Sequence, residues 1–559
     1  MFWQAIGAAR DLSRAQDIAA VLVRYGFADL VRRLGMAEAL AKAGKALHWK
    51  VSDEFARLGP PARARRALED LGPTFIKLGQ ILATRVDLFA PEWIAEFSKL
   101  QDAAPAVPFE DVRAQLTEDL GEAPETAFAR LDTTPLAAAS LAQVYRARLA
   151  DGREVVLKVR RPGIRPTVEA DLRLLARLAE IIDAEMPELH RYRPQEVVRE
   201  FTTSMRRELD FAAECRSAER VAGHFRGHPE FVIPAIHWQW SGERLNVQDY
   251  IAGIPGRDLA AVDAAGMDRR LLARRGAAAV LKMILNDGFF HADPHPGNVF
   301  YLPGNRIAFI DFGMVGRLSD TRRYEIAVLL HGLVSGDSET VAGILLDWRE
   351  DDTAADPGRL HREIDSFVDQ YKGVPLKRLN LASMLTDVVS ILRDNRIALP
   401  PDLAVLVKAF ISLEGMGRQL DPDFDMASEA APYLEHVLIA HHSPKAIARR
   451  GGRTLESALK LLTGLPQDLG QLLRAARRGK LRVEVEMLPL KHFGERIDRA
   501  ASRLTIGIVT AALIIGTSIV VTVAGESLAG LSTLALLGFV CAVIGAIWLL
   551  LSIRRSGRD

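Results

Sequence analysis

The sequence predicts an α+β chain of two lobes, a small strand-rich one followed by a larger helical one, with helices ahead of both and two long apolar segments behind. Three observations carry that expectation. Residues 291–313 set two carboxylates, Asp293 and Asp311, and an amide, Asn298, around a hairpin with strands at 299–302 and 306–310 and a turn at Pro303-Gly304-Asn305. Upstream, Glu154-Val155-Val156-Leu157-Lys158-Val159 is an apolar strand interrupted by one lysine. Near the end, residues 504–523 and 531–553 carry no charged side chain, and each is long enough to cross a hydrocarbon core of about 30 Å.

In chain order, residues 1–60 read as helical, with apolar periodicity over 18–34 and again over 37–58. Residues 61–130 form a helical extension centred on Lys77. After the start signal Gly72-Pro73, the residues Phe75, Ile76, Leu78, Ile81 and Leu82 recur at helical spacing in a helix over 71–85. The small lobe spans 131–253. Its first hairpin joins a strand at 141–149 to the Lys158 strand through Ala150-Asp151-Gly152. A charged helical pattern follows over 197–219, and Val247-Gln248-Asp249-Tyr250 reads as a closing strand. The large helical lobe spans 254–440, and a basic amphipathic linker runs over 441–503. From residue 445 to 503 there are 14 Lys and Arg against six Asp and Glu. The apolar pair at 504–553 follows, with only a tight turn at 524–530. Arg499 and Arg503 before it, and Arg554, Arg555 and Arg558 after it, place both ends in the cytoplasm. Gly507, Gly516 and Ser518 on one segment and Gly538, Ala542 and Gly545 on the other allow close packing. The chain shows neither internal repeats nor low-complexity tracts.

The spacing of the polar residues points to phosphoryl transfer. A phosphoryl group crossing between oxygens carries spread negative charge, which calls for Mg²⁺ on hard oxygen ligands and a carboxylate to orient or deprotonate the nucleophile. Protein kinases use the same grammar: an Asp, an Asn five residues later, then Asp-Phe-Gly. Asp293 is therefore the candidate catalytic carboxylate, Asn298 and Asp311 are the candidate Mg²⁺ ligands, and Lys158 is the candidate contact to the phosphates of ATP. Lys158 needs a carboxylate partner to hold its geometry; Glu208 is assigned that role, with Glu200 as the fallback.

Four further elements extend the match: Lys77-Leu78-Gly79-Gln80, the alanine-rich stretch from Pro135 to Gln143, Glu208-Leu209-Asp210, and the loop from Asp293 to Asn298. With these motifs the chain resembles the UbiB-like (aarF-domain) atypical kinases of ubiquinone biosynthesis, from about residue 15 to 420 and again in the apolar tail. The resemblance implies an atypical protein-kinase-like two-lobed fold, with a helical N-terminal extension over the active site and a C-terminal two-helix transmembrane hairpin. It implies ATP and Mg²⁺ as cofactors, ATPase activity, and support of ubiquinone synthesis through an isoprenoid quinone-precursor lipid. It places Ala137, Ala138, Ala139 and Ser140 over the phosphates, Lys77 and Gln80 on the nucleotide side of the cleft, and Asp249 at the hinge. The implied partners are the lipid bilayer of the inner membrane, other enzymes of ubiquinone biosynthesis and a second copy of the chain, with the catalytic region in the cytoplasm.

Four departures from ordinary protein kinases are read from the residues. The loop over the phosphates, 135–140, contains no glycine, and each alanine Cβ disfavours positive φ. Ala292 stands where kinases keep an Arg that pairs with a phosphorylated loop, which removes that electrostatic switch. His295 replaces the usual lysine two residues after the catalytic Asp, so one permanent charge on the transferring phosphate is missing. With no Ala-Pro-Glu segment after Asp311, protein substrates are disfavoured.

Composition agrees with a membrane-attached intracellular enzyme. The 559 residues are 49% hydrophobic, enough for two lobes and additional segments. Cys215 and Cys541 alone rule out a disulfide framework. A net charge of +1 gives no footprint for nucleic acid, and the N-terminus shows no signal peptide. Two other classes fit part of the pattern. One is a nucleotide-gated lipid-binding scaffold; the other is a metal-dependent hydrolase using His291, Asp293, His295 and Asp311, against which Asn298 and Lys158 stand.

Overall fold

A computed structural model of the chain describes residues 9–36, 58–85, 88–100, 104–348, 357–371, 381–395, 397 and 399–441. Most of the second predicted N-terminal helix, the basic linker and the apolar pair at 504–553 lie outside the described residues. Among the described residues, no helix is long and apolar enough to cross a membrane.

The first predicted helix is two. Helix α1 (Ala9–Arg24) stops at Gly26, whose φ of +84° is open to glycine, and the chain restarts as α2 (Ala28–Arg33). Helices α3 (Pro60–Leu71) and α4 (Pro73–Leu82) follow, each with proline in its first turn, where the missing N–H costs nothing. Gly79 of α4 is a packing requirement. A Cβ there would lie 2.2 Å from Leu100 Cδ1 and 2.8 Å from Leu68 Cδ1. Helices α5 (Pro91–Phe97), α6 (Phe109–Leu120) and α7 (Pro124–Ala127) lead into the small lobe.

The small lobe is an antiparallel sheet of β1 (Arg130–Leu131), β2 (Ala137–Ala138), β3 (Ala142–Arg148), β4 (Glu154–Arg160) and a later strand, β6 (Leu245–Asp249). Its order is β1-β3-β4-β6, with β2 paired to β3. On β4, Val155, Leu157 and Val159 are buried against Val112 and Leu116 of α6. The period of two turns Lys158 to the opposite face.

Between β4 and β6 run α8 (Ile164–Glu185), α9 (Pro194–Glu208), α10 (Phe211–His224) and the short strand β5 (Phe231–Val232). Helices α1 and α4 bury Ala15, Ile18, Phe75 and Leu78 in one core with Leu172, Leu175 and Phe201 of α8 and α9. Arg14 ties that core together: its Nε lies 2.6 Å from the buried Asp171 carboxylate, and its Nη2 donates to the Leu71 carbonyl at 2.6 Å. The charged pattern over 197–219 breaks into two helices because Asp210 caps α10, accepting from the Ala213 N–H at 3.2 Å.

The large lobe begins with β7 (Ile254–Pro255), α11 (Leu259–Ala264) and α12 (Arg269–Leu281), which passes into a π turn over Lys282–Asp287. Strands β8 (Phe289–His291), β9 (Val299–Leu302), β10 (Arg306–Phe309) and β11 (Val315–Arg317) carry the functional loops. The β9–β10 hairpin turns through the three residues Pro303, Gly304 and Asn305, the last two at positive φ. Strand β5 pairs in parallel with β10, so a segment from the small-lobe span is stitched into the large lobe. Helices α13 (Asp320–Ser335), α14 (Ser338–Asp347), α15 (Pro357–Tyr371), α16 (Leu381–Asp394), α17 (Pro401–Leu420) and α18 (Met426–His441) complete it. Leu403, Ala409, Phe410 and Leu413 of α17 pack in one core with Leu272 and Val280 of α12.

Candidate active-site cleft

The two lobes and the N-terminal helices enclose a cleft of about 880 Å³. Lys77, Gln80, Ala139, Lys158, Glu208, Asp293, Asn298 and Asp311 all line it. Residues far apart in sequence meet there.

Lys158 is the hub. Its Nζ lies 2.9 Å from both carboxylate oxygens of Glu214 and 3.3 Å from Asp311 Oδ2, and it sits 5.4 Å from the centre of the Phe211 ring. Burial works against its charge, but Asp311 and Glu214 together hold its pKa above that of an ordinary lysine. Burial pushes Glu214 up to about 7, against the pull of Lys158. Asp311 behaves oppositely. Burial alone would raise it, yet Lys158, the Gly313 amide and Lys77 hold its carboxyl well below the usual carboxylate range. Its backbone takes a positive φ of 60°, and its Oδ1 accepts from the Gly313 N–H at 3.1 Å.

The loop from Asp293 to Asn298 is held from behind by His291. The buried ring accepts the Asp293 N–H on Nδ1 at 3.2 Å and faces the Ile310 carbonyl with Nε2 at 3.3 Å. Those contacts assign the proton to Nε2. Burial lowers its pKa, despite Asp311 and Asp293 nearby, so the ring is a neutral brace. Phe312 packs on it, with ring centres 5.3 Å apart. Ala292, buried, gives its N–H to the Met314 carbonyl at 3.0 Å and ties this loop to the segment after Asp311. Asn298 donates its Nδ2 to the Asp293 carbonyl at 3.3 Å, which leaves Oδ1 as an oxygen donor toward the cleft. Gly256 permits the tight approach behind: a Cβ there would lie 2.8 Å from the Pro296 carbonyl oxygen.

Several sequence assignments are corrected. Glu208 does not hold Lys158; it pairs with Lys77 at 3.1 Å, across from α4. The fallback, Glu200, pairs with Arg85 at 3.3 Å. The reason is the cap at Asp210. Glu208 ends α9, whereas Glu214 lies one turn into α10 on the stripe of Phe211, Cys215, Ala218 and Val221, all buried. That stripe was the available signal, since a lone carboxylate on an apolar face needs a buried cation. Asp249 also sits elsewhere. Its carboxylate meets His237 Nε2 at 2.9 Å and its N–H donates to the Ala235 carbonyl, so it does not line the cleft. In the alanine stretch, Ala137 and Ala138 form β2 against β3 and Ser140 is buried, leaving Ala139 as the member that lines the cleft. Arg161 pins the loop through the Ala139 carbonyl at 2.8 Å. Gln80 reaches the cleft with its Nε2 donating to the Leu100 carbonyl at 3.2 Å. Sequence reasoning also missed Lys408, whose Nζ lies 3.2 Å from Asp293 Oδ1.

Comparison with known proteins shows the family. The ABC1 atypical kinase-like domain family matches residues 99–345, the UbiB helical domain matches 364–425, and the ABC1/UbiB kinase-like C-terminal domain matches 488–555. A "Probable protein kinase UbiB" from Xanthomonas campestris is 32% identical over 519 residues, 90% of this chain and 93% of its own length. Another of that name from Pseudomonas paraeruginosa is 35% identical over 454 residues, 79% of this chain and 84% of its own. This chain belongs to the UbiB-like family of atypical kinases. Among solved structures, a Mycobacterium tuberculosis protein in complex with erythromycin aligns over 71% of this chain and 97% of its own length, with 23% identity and a TM-score of 0.45. For this UbiB-like chain the hydrolase reading loses one of its four proposed ligands, His291. Both His291 nitrogens are engaged by backbone, and among the described residues no group of three or more His, Cys, Asp or Glu is set to hold a metal.

Proposed function

We propose that the protein is an ATP- and Mg²⁺-dependent atypical kinase or ATPase that supports ubiquinone biosynthesis by acting on, or presenting, isoprenoid lipid intermediates rather than proteins. The convergence of Lys158, Glu214 and Asp311 in one cleft carries the reading, because it is an arrangement for seizing nucleotide phosphates beside a metal ligand. The family membership and the relatives named as protein kinases support it.

The donor set fits Mg²⁺. Asp311 is an ionised carboxylate and Asn298 a neutral oxygen, which matches a cation that takes one or two protein oxygens and fills its remaining positions with water and substrate phosphate. When bound, Mg²⁺ would neutralise charge developing on the phosphate oxygens. Lys158 would hold the phosphates, kept in place by Glu214. Asp293 would orient the attacking hydroxyl or water, with His291 fixing its backbone. Ala139 would border the phosphates, stiffer than glycine and unable to approach as closely. The apolar pair at 504–553 would anchor the protein in the inner membrane with both ends cytoplasmic, next to the enzymes and lipids it serves.

Asp311→Asn tests the core of this reading, since it removes a charged ligand at nearly constant volume. Mg²⁺-dependent ATP turnover should be lost while the thermal unfolding midpoint stays close to that of the unaltered protein. Turnover at the original rate in that variant would refute the metal assignment.

A further inference from the structure

The catalytic loop lacks a lysine where protein kinases carry one, two residues beyond the catalytic Asp. His295 occupies that position, and its ring folds back on its own loop, accepting the Gly297 N–H on Nδ1 at 2.9 Å. The cation has not left the site, however. Lys408 enters from α17, more than a hundred residues later, and places Nζ 3.2 Å from Asp293 Oδ1. Among the described residues it is the one cation paired with the Asp293 carboxylate. Both partners line the cleft and remain partly open to it, with side-chain exposures of 28% and 26%.

We propose that Lys408 is a catalytic residue, the cation that the loop lacks, supplied from a different element to hold Asp293 and to contact the transferred phosphoryl group. This rests on the kinase-like reading above and extends it. The helix is a suitable platform. Leu403, Ala409, Phe410 and Leu413 bury it in the large-lobe core, so the base of the side chain is fixed while the four-carbon stem can carry Nζ from Asp293 to a bound γ-phosphate. The pair faces the cleft rather than the core of the large lobe, which puts this lysine beside the reacting groups.

In the step itself, the oxygen of the attacking hydroxyl or water forms a bond to the γ-phosphorus. The bond from that phosphorus to the β–γ bridging oxygen breaks, and its electron pair leaves on ADP. The nucleophile's proton passes to Asp293. Lys408 lowers the barrier in two ways. It keeps an unpaired Asp293 from repelling the phosphate, and it offsets the charge that builds on the γ-oxygens.

The full-length protein, with Lys408→Met, Lys408→Arg and the double variant Lys408→Met with His295→Lys, tests this. For Lys408→Met, kcat for Mg-ATP should fall about 10²–10³-fold, the loss that follows removal of one donor to developing charge. Affinity for a non-hydrolysable ATP analogue should weaken about tenfold relative to ADP, because only the former carries the γ-phosphate. The unfolding midpoint should stay within a degree or so of that of the unaltered protein. Arginine at 408, or lysine at 295, should return part of kcat. A kcat within about threefold of the original and an unchanged ATP-to-ADP ratio would overturn the proposal. So would an equal loss of both nucleotides with a lowered unfolding midpoint, which would mark Lys408 as a structural contact. If the unaltered protein turns over no ATP, the catalytic role falls together with the function proposed above. The affinity ratio then decides whether Lys408 meets the γ-phosphate, and an unchanged ratio removes that contact too.

Discussion

Glu208 and Glu214 lie six residues apart and serve different lysines, and the difference is set by one capping aspartate. Asp210 ends the run of helix, so Glu208 faces Lys77 while Glu214 faces Lys158. Glu214→Gln should therefore cost far more turnover than Glu208→Gln, with a fall in kcat/KM of about 10²-fold expected from loss of a positioned charge. A pH profile adds a sign. Glu214, raised to about 7, is protonated and unable to form its full ion pair below that value, so kcat/KM should climb as pH rises through about 7. In Glu214→Gln that limb should disappear. A limb that persists unchanged would assign the titration to another group. Asp293, Asn298, Asp311 and Lys158 were legible as candidates because fixed short spacing or strand period carries them, and all four line the cleft. Glu214 was hidden by a competing Glu in the same charged pattern.

Helices α1, α4, α8 and α9 form a separate core that roofs the cleft, and the buried Asp171 is its polar pivot. Asp171→Ala leaves Arg14 without a counter-charge and should destabilise this core by about 3–5 kcal/mol, the cost of breaking one side of a buried pair. Limited proteolysis near α1 and thermal unfolding would report it; an unchanged midpoint would show that water replaces the carboxylate. Gly79→Ala drives a Cβ into Leu100 and Leu68 and should cost about 1–3 kcal/mol by overpacking. Because Lys77 and Gln80 flank this glycine, that variant should also move them and change nucleotide affinity. Unaltered affinity at reduced stability would separate the packing role of the Lys-x-Gly-Gln segment from its place in the cleft.

The proposed anchor and the cleft occupy different stretches of the chain. Removing everything after Arg503 deletes both apolar segments and none of the cleft residues. The truncated protein should still bind Mg-ATP, and its basic stretch should bind anionic vesicles with about 1 kcal/mol per Lys or Arg that reaches the surface. High salt should release it, while the full-length protein stays bound. Release of the full-length protein by salt would overturn the two-span anchor, and indifference of the truncated one to anionic vesicles at low salt would reduce the linker to a connector.

Local pattern was enough to specify strands β3, β4, β6, β9 and β10, the two hairpin turns, the Pro73 helix start and the spacing of Asp293, Asn298 and Asp311. Each of these depends on neighbours within a few positions, where steric preference and hydrogen-bond period act directly. Pairings across the chain were settled elsewhere. Glu214 rather than Glu208 on Lys158, Asp249 turned to His237, β5 threaded beside β10 and Lys408 delivered to Asp293 all depend on how elements pack. A charged side chain in a helix reads alike in sequence whether it meets water or a catalytic carboxylate. The burial of the helix beneath it and the reach of its stem determine which.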